Sequence, residues 1–200
     1  MRVSRQKAQK NRDAVLDAAA RLFRERGLDG AGVAEVTREA GLTHGGFYGQ
    51  FPGGKDALAA EAVTAAFAAT QAFWEELAIG TKPGSGGALA AIISAYLSDG
   101  HRDDPGRGCP VPALAADAAR RGGVVQAAFS GGVRDLIDTL ARHTPGNTDA
   151  GRRAEAARLL ATLAGAVLIA RAVSGGDPAL ANTVVDAAKA GMPLNGICVP

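Results

Sequence analysis

Cysteine is scarce in this chain. There are two in 200 residues, Cys109 and Cys198, too few for a disulfide framework and in keeping with a reducing compartment. Long apolar runs are missing as well. The longest, around Leu159–Ala170, is broken by Thr and Gly, is flanked by arginines, and falls short of the roughly 20 residues that span a bilayer. No continuous apolar stretch follows the charged N-terminus, so a signal peptide is not expected. A cytoplasmic protein without a membrane partner is the reading. No segment shows the two-residue alternation of a strand, which leaves an all-α fold.

Catalytic and metal signatures are equally absent. His44, His101 and His143 do not recur with Ser, Cys or Asp in a nucleophile motif, and the glycines of 84–87 lack the Lys-Ser/Thr ending of a phosphate loop. His101, Asp103, Asp104 and Cys109 share one loop without ligand spacing. No enzyme, no metal and no cofactor are therefore expected.

What is present is organised by charge. Residues 1–55 carry ten Lys/Arg against six Asp/Glu, whereas residues 56–200 carry twelve against fourteen. The first twelve contain Arg2, Arg5, Lys7, Lys10 and Arg12 and no acid. A basic, mobile arm beside a weakly acidic body points to a polyanion partner at the N-terminal end, or to a solvated tail.

Apolar residues Val15, Leu16, Ala19, Leu22 and Phe23 recur at helical spacing and predict a helix over about 9–26, stopped at Gly27. A second helix covers 33–40, Gly41 permits a sharp turn, and a third spans about 44–50 with Thr43 as its cap. Two short helices joined by a tight turn make a helix-turn-helix. Longer Ala-rich helices follow beyond Pro52–Gly54, separated by the loops "GTKPGSGG" and "DGHRDDPGRG".

The segment "GLTHGGFYGQF" at 41–51 joins glycines to three aromatics. Phe47 and Phe51 are assigned with Phe23 and Val36 to a small core. Gly45, Gly46 and Gly49 clear space where a nucleic-acid backbone approaches. Tyr48 offers a phenolic hydrogen bond to phosphate, and Thr43, His44 and Gln50 are polar groups able to reach phosphate or base. Lys55, at the start of the next helix, adds a cation near helix amides. Thr43 also reads as a cap alone, and His44 and Gln50 as solvated residues.

The helix over about 150–174 has two apolar faces. Leu160, Leu163, Val167 and Ala170 occupy one; Ala161, Ala164, Gly165, Leu168 and Ala172 occupy its neighbour. A helix buried on one side needs only one stripe. The second predicts a homodimer interface through Ala161, Ala164, Gly165 and Leu168, the alternative being a central helix of one protomer.

Residues 12–58, with "AAxxLFxExG" followed by "REAGLTxGxFYxxF…K", resemble the N-terminal DNA-binding region of the TetR/AcrR family of bacterial transcriptional regulators. The resemblance covers about a quarter of the chain. It implies a helix-turn-helix domain over 1–52 and a helical ligand-binding and dimerisation domain over 53–200. It also implies a homodimeric repressor on a pseudo-palindromic double-stranded operator, released by a small-molecule effector, with Tyr48 and Lys55 touching phosphates. Three positions depart from the family pattern: Ala31 and Gly32 replace a capping Thr or Ser, three residues rather than two separate Phe51 from Lys55, and Gly49 replaces a larger side chain.

The effector pocket implied for the C-terminal two-thirds has Phe67, Trp74, Tyr96, Phe129 and Leu163 as candidate lining residues, each of which also reads as core. Cys109 joins them. It precedes a predicted helix whose amides stabilise a thiolate, with Arg102 and Arg107 nearby in sequence. The alternatives are a regulator sensing electrophiles or oxidants through Cys109, a helical thiol enzyme, or an inert buried thiol.

Overall fold

The structure, a computed structural model, describes residues 5–42, 44–81 and 86–192. These form ten helices and no strand among the described residues: α1 Arg5–Gly30, α2 Val33–Glu39, α3 His44–Gln50, α4 Gly54–Ala78, α5 Gly87–Tyr96, α6 Asp99–Asp103, α7 Pro110–Arg121, α8 Gly123–His143, α9 Asp149–Ser174 and α10 Pro178–Ala190. The expected all-α fold is what the chain adopts. Two compact units are present, residues 1–68 with 105–132, and residues 69–104 with 133–200. The unit that contains the helix-turn-helix thus runs past residue 52 and takes in α7.

In the first unit, α1 is helical from Arg5, where the sequence suggested a mobile arm. Gly27 breaks it with φ 78° and ψ 166°, a conformation essentially reserved for glycine. The turn between α2 and α3 follows from Gly41, at φ 69°. Leu42 N–H donates to Thr37 O at 2.8 Å and Gly41 N–H to Arg38 O at 3.0 Å, so a glycine in the left-handed region satisfies carbonyls the helix leaves open. Gly32 caps α2 without a side-chain hydrogen bond. The core is built by Val15, Ala19, Leu22, Phe23, Val36, Phe47, Phe51 and Leu58, all buried.

The C-terminal end of α1 is gripped by residues 106–121. Asp117 Oδ2 accepts from Leu28 N–H at 3.0 Å, and Arg24 Nε donates to Gly106 O at 2.9 Å. Arg121 reaches both Asp29 and Asp56 at 2.5 Å, and these carboxylates raise its pKa further, the Asp56 hydrogen bond foremost. Further along, the Phe67 ring lies edge-on to Phe129 at 5.2 Å, and a Cβ at Gly132 would overlap it.

The second unit buries Trp74, Ile92, Ile93, Tyr96, Leu97, Leu136, Leu140, Leu160, Leu163, Val167 and Ala170. α9 and α10 pack along one another, each started by a side-chain cap: Thr148 accepts from Gly151 N–H at 3.1 Å and Asp177 from Leu180 N–H at 2.9 Å. The loop expected over 99–108 instead begins with α6. Ser98 caps this one-turn helix at His101 N–H. Its last carbonyls are held by Arg171 of α9, which donates to Arg102 O at 2.9 Å and His101 O at 2.5 Å.

Two sequence expectations need correction here. α9 contains an 18-residue window of mean hydropathy 1.7, long and apolar enough to cross a membrane by length and composition, with 44% of that window buried inside the protein. His101 is no solvated loop residue. Its Nδ1 lies 2.6 Å from Tyr96 O, its ring stands edge-on to Tyr96 at 4.4 Å, and burial lowers its pKa to about 4 against the raising effect of the Tyr96 bond.

Candidate nucleic-acid interface

α3 is a two-sided helix of seven residues. Phe47 and Phe51 are 2% and 1% exposed, one turn apart, and stack with ring centroids 5.2 Å apart. Tyr48 is 57% exposed and meets Phe47 edge-on at 5.1 Å. The phenol is therefore presented outward from a ring anchored to the core. Gly49 is exposed, and a Cβ there would meet nothing within 4 Å. No neighbour among the described residues accounts for this glycine.

Gln50 is half-buried, and its Oε1 is buried with no hydrogen-bond partner among the described residues. That oxygen is turned inward, which does not suit reading a base. Thr43 lies outside the described residues, and His44 and Gly45 are placed on α3 as backbone only. Lys55 is half-buried in the first turn of α4. Gly54, the residue before it, stands in the left-handed region at φ 68°.

Arg12 was grouped by sequence with the basic arm, yet it is fixed. Its guanidinium sits 4.6 Å over the Phe51 ring and donates to both carboxylate oxygens of Glu61 at 2.6 and 2.8 Å. A planar fork matched to a carboxylate and lying on an aromatic face suits arginine specifically. Glu61 is 49 residues away, and no local pattern announces the pair. Asp117, Arg24 and Arg121 went unnoticed for the same reason.

The candidate effector residues fall in both units. Phe67, Cys109 and Phe129 belong to the first; Trp74, Tyr96 and Leu163 belong to the second. All but Phe129, which is half-buried, are buried. Trp74 and Tyr96 are tilted neighbours at 6.0 Å. An open cleft of about 540 Å³ in the second unit is lined by Asp138, Ala141, Arg142, Asp149, Arg152 and Arg153, and by none of the six. Cys109 stands at the N-cap of α7, followed by Pro110 as the first helical residue, and is 2% exposed.

The proposed dimer face is partly open. Ala161 and Leu168 are exposed, Gly165 has free space where a Cβ would stand, and Ala164 is buried within the protomer. Ile169 and Leu180 are exposed apolar residues that sequence reasoning did not name.

Residues 15–62 match the sequence model described as bacterial regulatory proteins, tetR family. This region belongs to that family. It is 45% identical over 53 residues to the HTH-type transcriptional regulator LmrA of Bacillus subtilis, covering 26% of this chain and 28% of that protein. Over 109 residues, the chain is 32% identical to an uncharacterized HTH-type transcriptional regulator of Mycobacterium tuberculosis, covering 54% of this chain and 53% of that one. The chain thus spans about half or less of the curated relatives it matches. Beyond the tetR-family region the likeness is one of fold. The reduced form of NemR from E. coli aligns at TM-score 0.72 and 21% identity, covering 95% of this chain and 98% of the other. A TetR-family regulator from Cytophaga hutchinsonii aligns at 0.74 and 19%, covering 95% and 96%.

Proposed function

We propose that this chain is a tetR-type transcriptional regulator: a homodimeric repressor that binds a pseudo-palindromic double-stranded operator in the cytoplasm and is released by a small-molecule effector. Residues 1–52 supply the DNA contacts through Thr43, His44, Gly45 and Tyr48, joined by Lys55 at the start of α4. Gln50 is the weakest member of that set because of its inward oxygen. Residues 53–200 supply the effector site, with Phe67, Trp74, Tyr96, Phe129 and Leu163 as candidates, and the dimer face around Ala161, Gly165 and Leu168.

The observation that carries the reading is Tyr48, exposed on the second helix of a helix-turn-helix whose other aromatics are buried. That helix is the one such motifs dock in the major groove. A homodimer sets two such helices about one DNA turn, or a multiple, apart. The effector acts only through its preference for a conformation with another spacing.

Selection of bound duplexes from a random library by the full chain tests this. An inverted repeat with that half-site spacing is expected, and Tyr48→Phe weakens its binding. A pool that stays unenriched after repeated rounds rejects the reading.

A second reading uses Cys109 as a sensor of oxidants or electrophiles. Its support is the likeness in fold to NemR, which was crystallised in a reduced form, since the N-cap position of Cys109 offers few amides where Pro110 and Pro112 lack an N–H. Burial of the thiol opposes it. If it holds, oxidant weakens operator binding by the wild type and leaves Cys109→Ser unaffected.

A further inference from the structure

We propose that Arg12 is a positioning residue for DNA recognition: clamped by Glu61 of α4, it fixes the orientation of α3, and with it Tyr48, without itself touching DNA. This rests on the reading of the chain as DNA-binding. It adds a residue upstream of the tetR-family match at 15–62, whereas Phe51 and Glu61 lie inside that match.

α3 is a helix that cannot hold its own place. Three of its seven residues are glycine, the costliest residue in a helix interior after proline, and two turns are too few to stabilise a helix through its own hydrogen bonds. Its position is set from outside, through the buried rings of Phe47 and Phe51. Burial of a ring is non-directional. It keeps the ring inside without deciding its tilt.

The directional element is the guanidinium. Arg12 Nη1 donates to Glu61 Oε2 at 2.6 Å and Nη2 to Oε1 at 2.8 Å, so two parallel bonds fix the plane of the fork. Its Cζ stands 4.6 Å from the Phe51 centroid. Phe51 stacks on Phe47 with 21° between the ring planes, and Phe47 meets Tyr48 at 80°. One side chain of α1 thus joins α4 to the end of α3, and the contact continues through two buried rings to the exposed phenol. All of these residues belong to the first compact unit.

The same geometry separates Arg12 from a phosphate contact. Both Nη atoms are taken by one carboxylate, which neutralises the charge. Loss of the clamp therefore leaves the salt dependence of binding alone, because that slope counts the cations that neutralise phosphates. What falls is the advantage of a chosen sequence over an unrelated one, since base readout needs the helix in its place.

The test uses the full chain and the duplex it selects from a random library, compared with an unrelated duplex of equal length between about 50 and 200 mM KCl. Arg12→Gln, Arg12→Lys and Glu61→Gln are each expected to lower the ratio of the two affinities about fivefold, and Arg12→Gln with Glu61→Gln to lower it no further. Salt slopes stay at the wild-type value. Arg12→Gln removes a positive charge and Glu61→Gln a negative one, so a pure charge effect would drive affinity in opposite directions. A second readout needs no DNA: the Phe51 amide, which donates to Phe47 O at 2.9 Å, exchanges hydrogen faster in each variant, while the Phe23 amide of α1 keeps its rate. The inference is overturned if the affinity ratio is retained, if the two glutamine variants shift operator affinity in opposite senses, or if Phe51 exchange is unchanged. Failure of the wild type to enrich any duplex removes the DNA-binding reading instead, and the exchange rates still decide whether Arg12 holds α3.

Discussion

The two compact units are held together by different physics. In the first, backbone comes very close to side chains: Gly27 faces the Asp117 carboxylate, where a Cβ would stand 2.8 Å from Oδ2, and Gly132 lies against the Phe67 ring. Its charged groups pair at or near the surface, as in Arg12–Glu61 and Arg121–Asp29, where each pair contributes about 1 kcal/mol or less. In the second, a half-buried imidazole and a guanidinium from α9 hold the one-turn helix α6. One unit is sensitive to shape, and the other holds an imidazole whose protonation burial opposes.

The largest expected effect exploits the proton-sensitive unit. His101 titrates near 4 in the folded chain and near 6.5 when unfolded, so the unfolded chain takes up the proton first as pH falls. Stability is complete above about 6.5 and declines through the window down to about 4, by at most about 3 kcal/mol. Urea unfolding across that range, followed by the single Trp74 of the second unit, should show this decline, and His101→Gln should flatten it. An unchanged profile in the variant breaks the comparison.

Next comes the shape-sensitive unit. Gly27→Ala forces a side chain into a conformation that costs about 1–3 kcal/mol and pushes it against Asp117. Thermal unfolding should show a loss of about 2–3 kcal/mol at every pH. Gly132→Ala overpacks the Phe67 ring for roughly 1–2 kcal/mol, which hydrogen exchange should localise to residues around Phe67 and Phe129. Smallest is Glu61→Gln, expected to cost less than about 1 kcal/mol in denaturant titration. A larger loss would mean that ion pairs carry the first unit after all.

The legible parts of the fold were those set by neighbours in sequence. Phe23, Val36, Phe47 and Phe51 announced the helix-turn-helix core by spacing, and Gly41 announced its turn. α6 stayed hidden because a five-residue helix owes its carbonyl partners to Arg171, some seventy residues on. Arg12 was misjudged for a similar reason, since only the fold brings Glu61 and Phe51 to it. Within the candidate interface, Tyr48 was readable because two phenylalanines at helical spacing already claimed the inner face. The inward turn of the Gln50 oxygen was not, because nothing in a hexapeptide fixes a side-chain rotamer.

Gly49 has one more consequence. A Cβ added there would meet no described atom of the protein within 4 Å, and its φ is ordinary for a helix, since it is absent from the positive-φ glycines. Folding exerts little constraint on that codon. A lineage, or an engineer, could therefore alter the outward chemistry of α3 through one substitution there, at a stability cost no larger than that of an ordinary surface change.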